Sequence, residues 1–282
     1  MKALNTGVNS ARGGHMNIRG RKPQSNSAPY GGGSTPKHPL THFISLPIGH
    51  HALLRDSISA FTGGLLQSAA PLPGLDKSIV IAPRRLHFTL GVMSLVDPAK
   101  TGHAVSSGMK TLPDALSLLS TLKPRIIELM QSHPLRVPLN SMNIMKPDGG
   151  DPDKAHVLWL GPDFNTDDAR RLKAVGELVN KAFVDSGFVL DRRPLKLHCT
   201  VINTSHRRPR PKGARQPFSY KALLTSTGGQ AILRQPSGQL DYCHPVKVDF
   251  GSWEVDEVQI CEMGSCGPEG EYVSCGGCSL VP

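Results

Sequence analysis

Several absences narrow what this 282-residue chain can do. No apolar run comes near the roughly eighteen residues that a membrane span requires, so no spanning helix is expected. There is no His-Glu-x-x-His pair, no calcium-loop pattern and no Asp-rich cluster, and a resident metal is therefore not expected. Neither a G-x-x-x-x-G-K-[ST] loop nor a strand-anchored G-x-G-x-x-G is present, which removes the common nucleotide-cofactor cradles. Without a secretory leader the six cysteines are expected to be reduced, in a cytoplasmic or nuclear protein. Cys261, Cys266, Cys275 and Cys278 follow one another with four, eight and two intervening residues, without the two-knuckle regularity of a structural zinc site. Cys199 is expected to pack on the apolar face of a strand.

Acid is missing from the first 38 residues, which hold six Lys or Arg among runs of Asn, Ser, Gly and Pro such as Gly31-Gly32-Gly33-Ser34. A segment of this composition cannot bury a core and reads as a plain disordered basic tail over 1–38, with a basic nuclear or RNA-contacting signal at Arg19-Gly20-Arg21-Lys22 as the alternative. A mitochondrial presequence is a weaker match, because the segment lacks an apolar helical face and is broken by Gly and Pro. The tail carries over half of the net +10, leaving one domain over 39–282, expected to be a monomer, with a net charge of +4.

One pattern occurs twice. Arg85-Leu86-His87-Phe88-Thr89-Leu90 and Lys196-Leu197-His198-Cys199-Thr200-Val201 share the order basic, Leu, His, apolar, Thr, apolar. Twelve His and thirteen Thr give about half a bare His-x-Thr by chance, but the full six-position pattern lowers that to on the order of 0.001 copies. Both copies lie in strand-like runs, Arg85 to Leu95 and Leu195 to Asn203. Side chains alternate along a strand, so each copy puts an imidazole and a hydroxyl on one face and apolar residues on the other.

Cleavage of an RNA-type phosphodiester requires such a set. One imidazole takes a proton from the attacking water or ribose hydroxyl, and a second, protonated one gives a proton to the leaving alkoxide. Thr89 and Thr200 supply donors for charge on the phosphoryl oxygens. His87, Thr89, His198 and Thr200 are thus the candidate catalytic residues. Asp191 to Arg215 holds eight basic residues and one acid, while the rest of the chain from Pro39 nets −3, so Arg207, Arg208 and Arg210 are candidates for substrate phosphates. Lys196, the neighbour of Leu197 in an extended strand, is left outside the catalytic set.

At these residues the chain resembles the two-histidine phosphoesterases, which include bacterial RNA 2′,5′-ligase-like (LigT-like) proteins. It is more similar to one branch, the phosphoesterase-like domain of an A-kinase anchoring protein and the C-terminal part of activating signal cointegrator complex subunit one. The likeness rests on both His-x-Thr motifs, the strand Thr41 to Ile48, the stretch Arg84 to Leu95, the run Leu197 to Arg208 and the segment Phe218 to Leu224. It implies a bilobed α+β fold, with an antiparallel sheet and flanking helices in each lobe around a central groove that binds nucleotide or RNA ends. It also implies a partner of the regulatory-complex kind and no cofactor. An amphipathic C-terminal helix for docking a kinase regulatory subunit is not expected, nor is a KH module within residues 1–38. Hydrolysis, binding without turnover and RNA-end ligation all remain open at this point.

Periodicity places a helix over Ala52 to Gln67 and a second over Leu112 to Gln131, bent or broken at Pro124. A hairpin follows from Arg136 to Met145 and His156 to Leu160. Asn165 is expected to cap a third helix whose buried stripe is Leu172, Val175, Val179 and Phe183, with Gly187 stopping it. Trp253 to Met263 and Glu271 to Ser274 read as closing strands.

Overall fold

A computed structural model of the chain describes residues 39–96, 109–234, 241–242 and 244–281. The basic tail expected over 1–38 lies outside the described residues. In chain order the regular elements are β1 (His42–Pro47), α1 (Ala52–Leu66), β2 (His87–Met93), α2 (Leu112–Met130), β3 (Arg136–Pro138), β4 (Ser141–Ile144), β5 (Val157–Gly161), α3 (Asp167–Asp185) and β6 (Cys199–Asn203). They continue with α4 (Tyr220–Thr225), α5 (Thr227–Ile232), β7 (Val246–Lys247), β8 (Ser252–Glu254), β9 (Glu257–Glu262) and β10 (Ser274–Ser279).

The fold is α+β. Eight strands run antiparallel in the order β10-β9-β1-β2-β6-β5-β4-β7, and β3 pairs with β8 in a small sheet of their own. The motif strands β2 and β6 are central neighbours, yet the ladder between them is a single rung, Phe88 opposite Cys199. That seam divides the sheet into two halves of four strands each. The halves repeat one plan: β1-α1-β2 and β5-α3-β6 are each a strand, a helix, and a return strand paired antiparallel to the first.

The repetition reaches single residues. Ser45 pairs with Thr89 and Ile44 with Gly91, so Leu90 is one residue too many in β2. Trp159 pairs with Thr200 and Leu158 with Ile202, so Val201 is the extra residue in β6. Each motif strand therefore carries a bulge immediately after its Thr, and bulges bend a strand and re-aim its side chains.

The helices cover the apolar side of the sheet. Leu54, Ile58, Phe61 and Leu65 of α1 and Leu172, Val175, Val179 and Phe183 of α3 join Leu86, Phe88, Leu90, Leu197, Cys199 and Val201 in one core. At the seam α3 presents Gly176, where a Cβ would stand 3.2 Å from Leu197 and 3.4 Å from Leu90. One turn on, Asn180 donates its amide to the carbonyl of the bulged Leu90 at 2.7 Å, satisfying an acceptor that the bulge takes out of the ladder.

Some expected elements differ. The run from Arg136 to Met145 is two strands, β3 and β4, because its first part pairs with β8 and its second with β5 and β7. Trp253 to Met263 is likewise split into β8 and β9, and the last strand lies at Ser274–Ser279 rather than Glu271 to Ser274. Regular pairing in the second motif begins only at Cys199. Thr166, not Asn165, caps α3, its hydroxyl accepting from the Ala169 amide. Helix α2 runs through Pro124 without interruption.

Candidate functional site

Alternation in the motif strands is as the sequence requires. Leu86, Phe88 and Leu90 are buried while His87 and Thr89 are half-buried, and Leu197, Cys199 and Val201 are buried while His198 and Thr200 are half-buried. Burial pushes the Cys199 thiol up to about 12, so it stays protonated in the core.

The two imidazoles are held alike. Nδ1 of His87 donates to the carbonyl of Arg85 at 2.6 Å, and Nδ1 of His198 donates to the carbonyl of Lys196 at 2.7 Å. A carbonyl only accepts, so in both rings the proton is fixed on Nδ1 and the lone pair on Nε2. Nε2 of His87 accepts from the Thr89 hydroxyl at 3.0 Å. Desolvation by burial, and then the charge on His198, lower the His87 pKa to about 4. Burial also lowers His198, with the Lys196 ammonium acting in the same direction.

Two hollows meet over these strands. One of about 210 Å³ is lined by His87, Thr89, Thr200, Phe43, Asn203 and Tyr272 among others. Its neighbour of about 380 Å³ is lined by His198, Lys196, Arg193 and Asn180, and the two share Thr89 and Val92. The four predicted catalytic residues thus line one composite groove. A larger hollow of about 570 Å³ opens beside His87 under the β9–β10 loop, but Asp256, Glu257, Glu269 and Glu271 are in its lining, and such a field disfavours a phosphate.

Aromatic and cationic groups that sequence reasoning left out surround the pair. Phe43 stands 5.0 Å from the His87 ring and Tyr272 meets that ring edge-on at 5.3 Å. The Arg85 guanidinium lies 4.7 Å from the centre of the Tyr272 ring and donates to the carbonyls of Gly270 at 2.7 Å and Ser265 at 2.9 Å. Arg84 pairs with Glu269 on the same loop at 2.5 Å. On the other side Lys196 sits 4.5 Å from the centre of the Trp159 ring. Lys196 therefore belongs to the site: lining the same hollow as His198, it stands two residues before it, and alternation puts positions two apart on one face. The basic position of the repeated pattern was the available signal for both cations.

The basic loop separates into two kinds of arginine. Arg207 does not face substrate: only 8% exposed, it pairs with Asp76 and donates to the carbonyls of Gly74 at 2.5 Å and Gln216 at 3.3 Å. Its guanidinium ties the loop to the segment before β2. Arg208 and Arg210 are exposed, and Arg208 donates to the Arg207 carbonyl at 3.2 Å. Arg215 reaches back to the end of β6, donating to the Thr204 hydroxyl at 3.0 Å and to the side-chain oxygen of Asn203 at 3.3 Å.

A family model described as the AKAP7 2′5′ RNA ligase-like domain matches residues 40–280. Activating signal cointegrator 1 complex subunit 1 of Mus musculus is 23% identical over 247 residues, covering 85% of this chain and 63% of the relative, so the chain spans less than two thirds of that protein's length. Among solved structures, Escherichia coli LigT complexed with 3′-AMP is similar at 15% identity and a TM-score of 0.47, covering 86% of this chain and 99% of that one. A Thermus thermophilus protein is similar at 16% identity and a TM-score of 0.42, covering 86% of this chain and 98% of that one.

Proposed function

Because the chain belongs to the AKAP7 2′5′ RNA ligase-like domain family, among the two-histidine phosphoesterases, we propose that it is a metal-independent phosphodiesterase acting on RNA ends, 2′,5′-linked oligonucleotides or cyclic nucleotides. The observation that carries this reading is the duplicated tethering of His87 and His198. Each ring is fixed through Nδ1 to the carbonyl two residues back, at or just before the start of one of two neighbouring strands, with a Thr two residues on.

In the proposed reaction the substrate phosphate lies between Thr89 and Thr200, which donate to its non-bridging oxygens. His87, kept neutral by burial, is the base. Its Nε2 takes a proton from water as the water oxygen bonds to phosphorus, and the Thr89 hydroxyl turns from Nε2 to a phosphoryl oxygen. The phosphorus–oxygen bond to the leaving group breaks, and Nε2–H of His198 protonates the departing oxygen. The bound phosphate raises the pKa of His198 against its burial and so loads it as an acid before the step. The products are a phosphate monoester and an alcohol.

Incubation of the purified protein in chelator with 2′,3′-cyclic nucleotides, 2′,5′-linked and 3′,5′-linked oligonucleotides tests this. Turnover of at least one class, lost in His87→Ala and His198→Ala, is expected. No turnover of any class, or variants acting at the wild-type rate, overturns it. A second reading, a nucleotide- or RNA-binding regulatory module in a nuclear or cytoplasmic complex, draws on the cointegrator-subunit relative. Tight binding without turnover distinguishes it.

A further inference from the structure

The basic position of the repeated pattern is occupied on both sides of the groove by a cation over an aromatic ring, but the two pairs are not equivalent. Arg85 is held over Tyr272 by two main-chain carbonyls as well. Among the described residues the Lys196 ammonium has no hydrogen bond and no ion pair, and the Trp159 ring is its one partner. A cation resting only on a ring face is held weakly and is readily taken by an anion.

Trp159 is itself out of place for a buried residue. Leu158 and Leu160, its neighbours in β5, point into the core, so Trp159 is turned to the opposite face, where it pairs in register with Thr200. It lies outside the apolar core cluster and is nevertheless only 6% exposed. Its indole N–H is buried and has no acceptor among the described residues. Beside it is a hollow of about 320 Å³, lined by Trp159, Phe164, Lys173, Pro194, Leu195 and Lys196 among others. Pro194, Leu195 and Lys196 also line the hollow that holds His198, so the two spaces adjoin along one segment.

On the phosphodiesterase reading above, we propose that this hollow seats a second nucleoside, on the His198 side of the scissile phosphate, and that Lys196 exchanges the Trp159 ring for that phosphate when substrate enters. The exchange uncovers an indole face for stacking of a base, a contact that tolerates any base because every base has a π-face. Phe164 supplies a second apolar wall, and Lys173, 5.9 Å from the centre of the Phe164 ring, is paired with Glu177, which lines the same hollow. The substrate class is therefore a dinucleotide or longer oligonucleotide; a cyclic mononucleotide leaves the hollow empty.

The test compares adenylyl-2′,5′-adenosine with adenosine 2′,3′-cyclic phosphate on wild type, Trp159→Leu, Trp159→Phe and Phe164→Ser. Phe164 is 43% exposed, so its replacement leaves folding intact. Trp159→Leu and Phe164→Ser should each lower kcat/KM for the dinucleotide by about tenfold, and Phe164→Ser should leave the cyclic substrate within about twofold. Trp159→Phe should retain dinucleotide turnover. Titration of wild type with adenylyl-3′,5′-adenosine in the absence of turnover should quench indole fluorescence, inorganic phosphate should not, and the quench should vanish in Trp159→Phe. Equal effects of Phe164→Ser on both substrates, or wild type acting on the cyclic substrate alone, overturns the second nucleoside seat and leaves the phosphodiesterase standing. Wild type that turns over neither of these nor a 3′,5′-linked oligonucleotide overturns the phosphodiesterase reading itself.

Discussion

In the first half of the sheet the residues before the histidine are latched: Arg84 and Arg85 grip the β9–β10 loop through Glu269, Gly270 and Ser265, and that loop lays Tyr272 against the His87 ring. In the second half Lys196 rests on an indole, and Nε2 of His198 has no hydrogen-bond partner among the described residues. Two copies of one sequence pattern thus differ in what packs over them. Burial lowers the pKa of both imidazoles, but only at His198 are Nε2 and the neighbouring cation without a polar partner among the described residues, and on the phosphodiesterase reading proposed above that copy supplies the acid and His87 the base.

The comparison is broken most directly at the imidazoles. His87→Ala and His198→Ala should each lower turnover by on the order of 100-fold or more, and the double variant should lose little beyond the worse single one, because the pair acts as a unit. Steady-state kinetics on the best substrate decide it. Acid sharpens the contrast next. Because the native His87 pKa lies near 4 and the unfolded value near 6.5, the unfolded chain binds the extra proton between those limits. Stability is therefore full above pH 6.5 and falls as pH drops toward 4, by up to about 1.4 kcal/mol per pH unit from this group. Urea melts at several pH values should show that slope reduced in His87→Ala.

Smaller effects should separate the latched cations from the loose one. Arg207→Gln removes charge-assisted hydrogen bonds from a buried site and should cost about 2 kcal/mol of stability. Arg85→Gln should cost about 1.5 kcal/mol for its two carbonyl contacts, whereas Lys196→Gln should cost under about 0.5 kcal/mol and lower turnover instead. Thermal and urea melts read all three. Last, Arg208→Gln with Arg210→Gln should leave stability unchanged and flatten the salt dependence of binding to a longer RNA by about 0.7 in logarithmic slope per lost contact. An unchanged slope makes these two arginines plain solvated surface.

Much of this was legible in the sequence, because it depends on short-range periodicity. The facing of His87, Thr89, His198 and Thr200 follows from alternation, and the stripes of α1 and α3 follow from helical spacing. What was not legible depends on partners far along the chain. Nothing near Arg207 announces that Asp76, 131 residues earlier, takes its charge. The splits between β3 and β4 and between β8 and β9 come from each segment changing partner. Tyr272 reaches His87 only because β9 pairs with β1 and so carries the loop back over the first motif.

With a single rung joining β2 to β6, the spacing of the two imidazoles is not set by the ladder that normally keeps neighbouring strands in step. It is set from behind. Helix α3 touches β2 and the segment leading into β6, lying close on Leu90 and Leu197 where Gly176 leaves room and fastened to the bulge by Asn180. In mechanical terms the sheet is two plates on a loose pin, with α3 as the brace that fixes their opening angle. A methyl group added at Gly176 acts as a wedge under that brace, pressing on Leu90, Leu195 and Leu197 and so spreading the two imidazoles from behind.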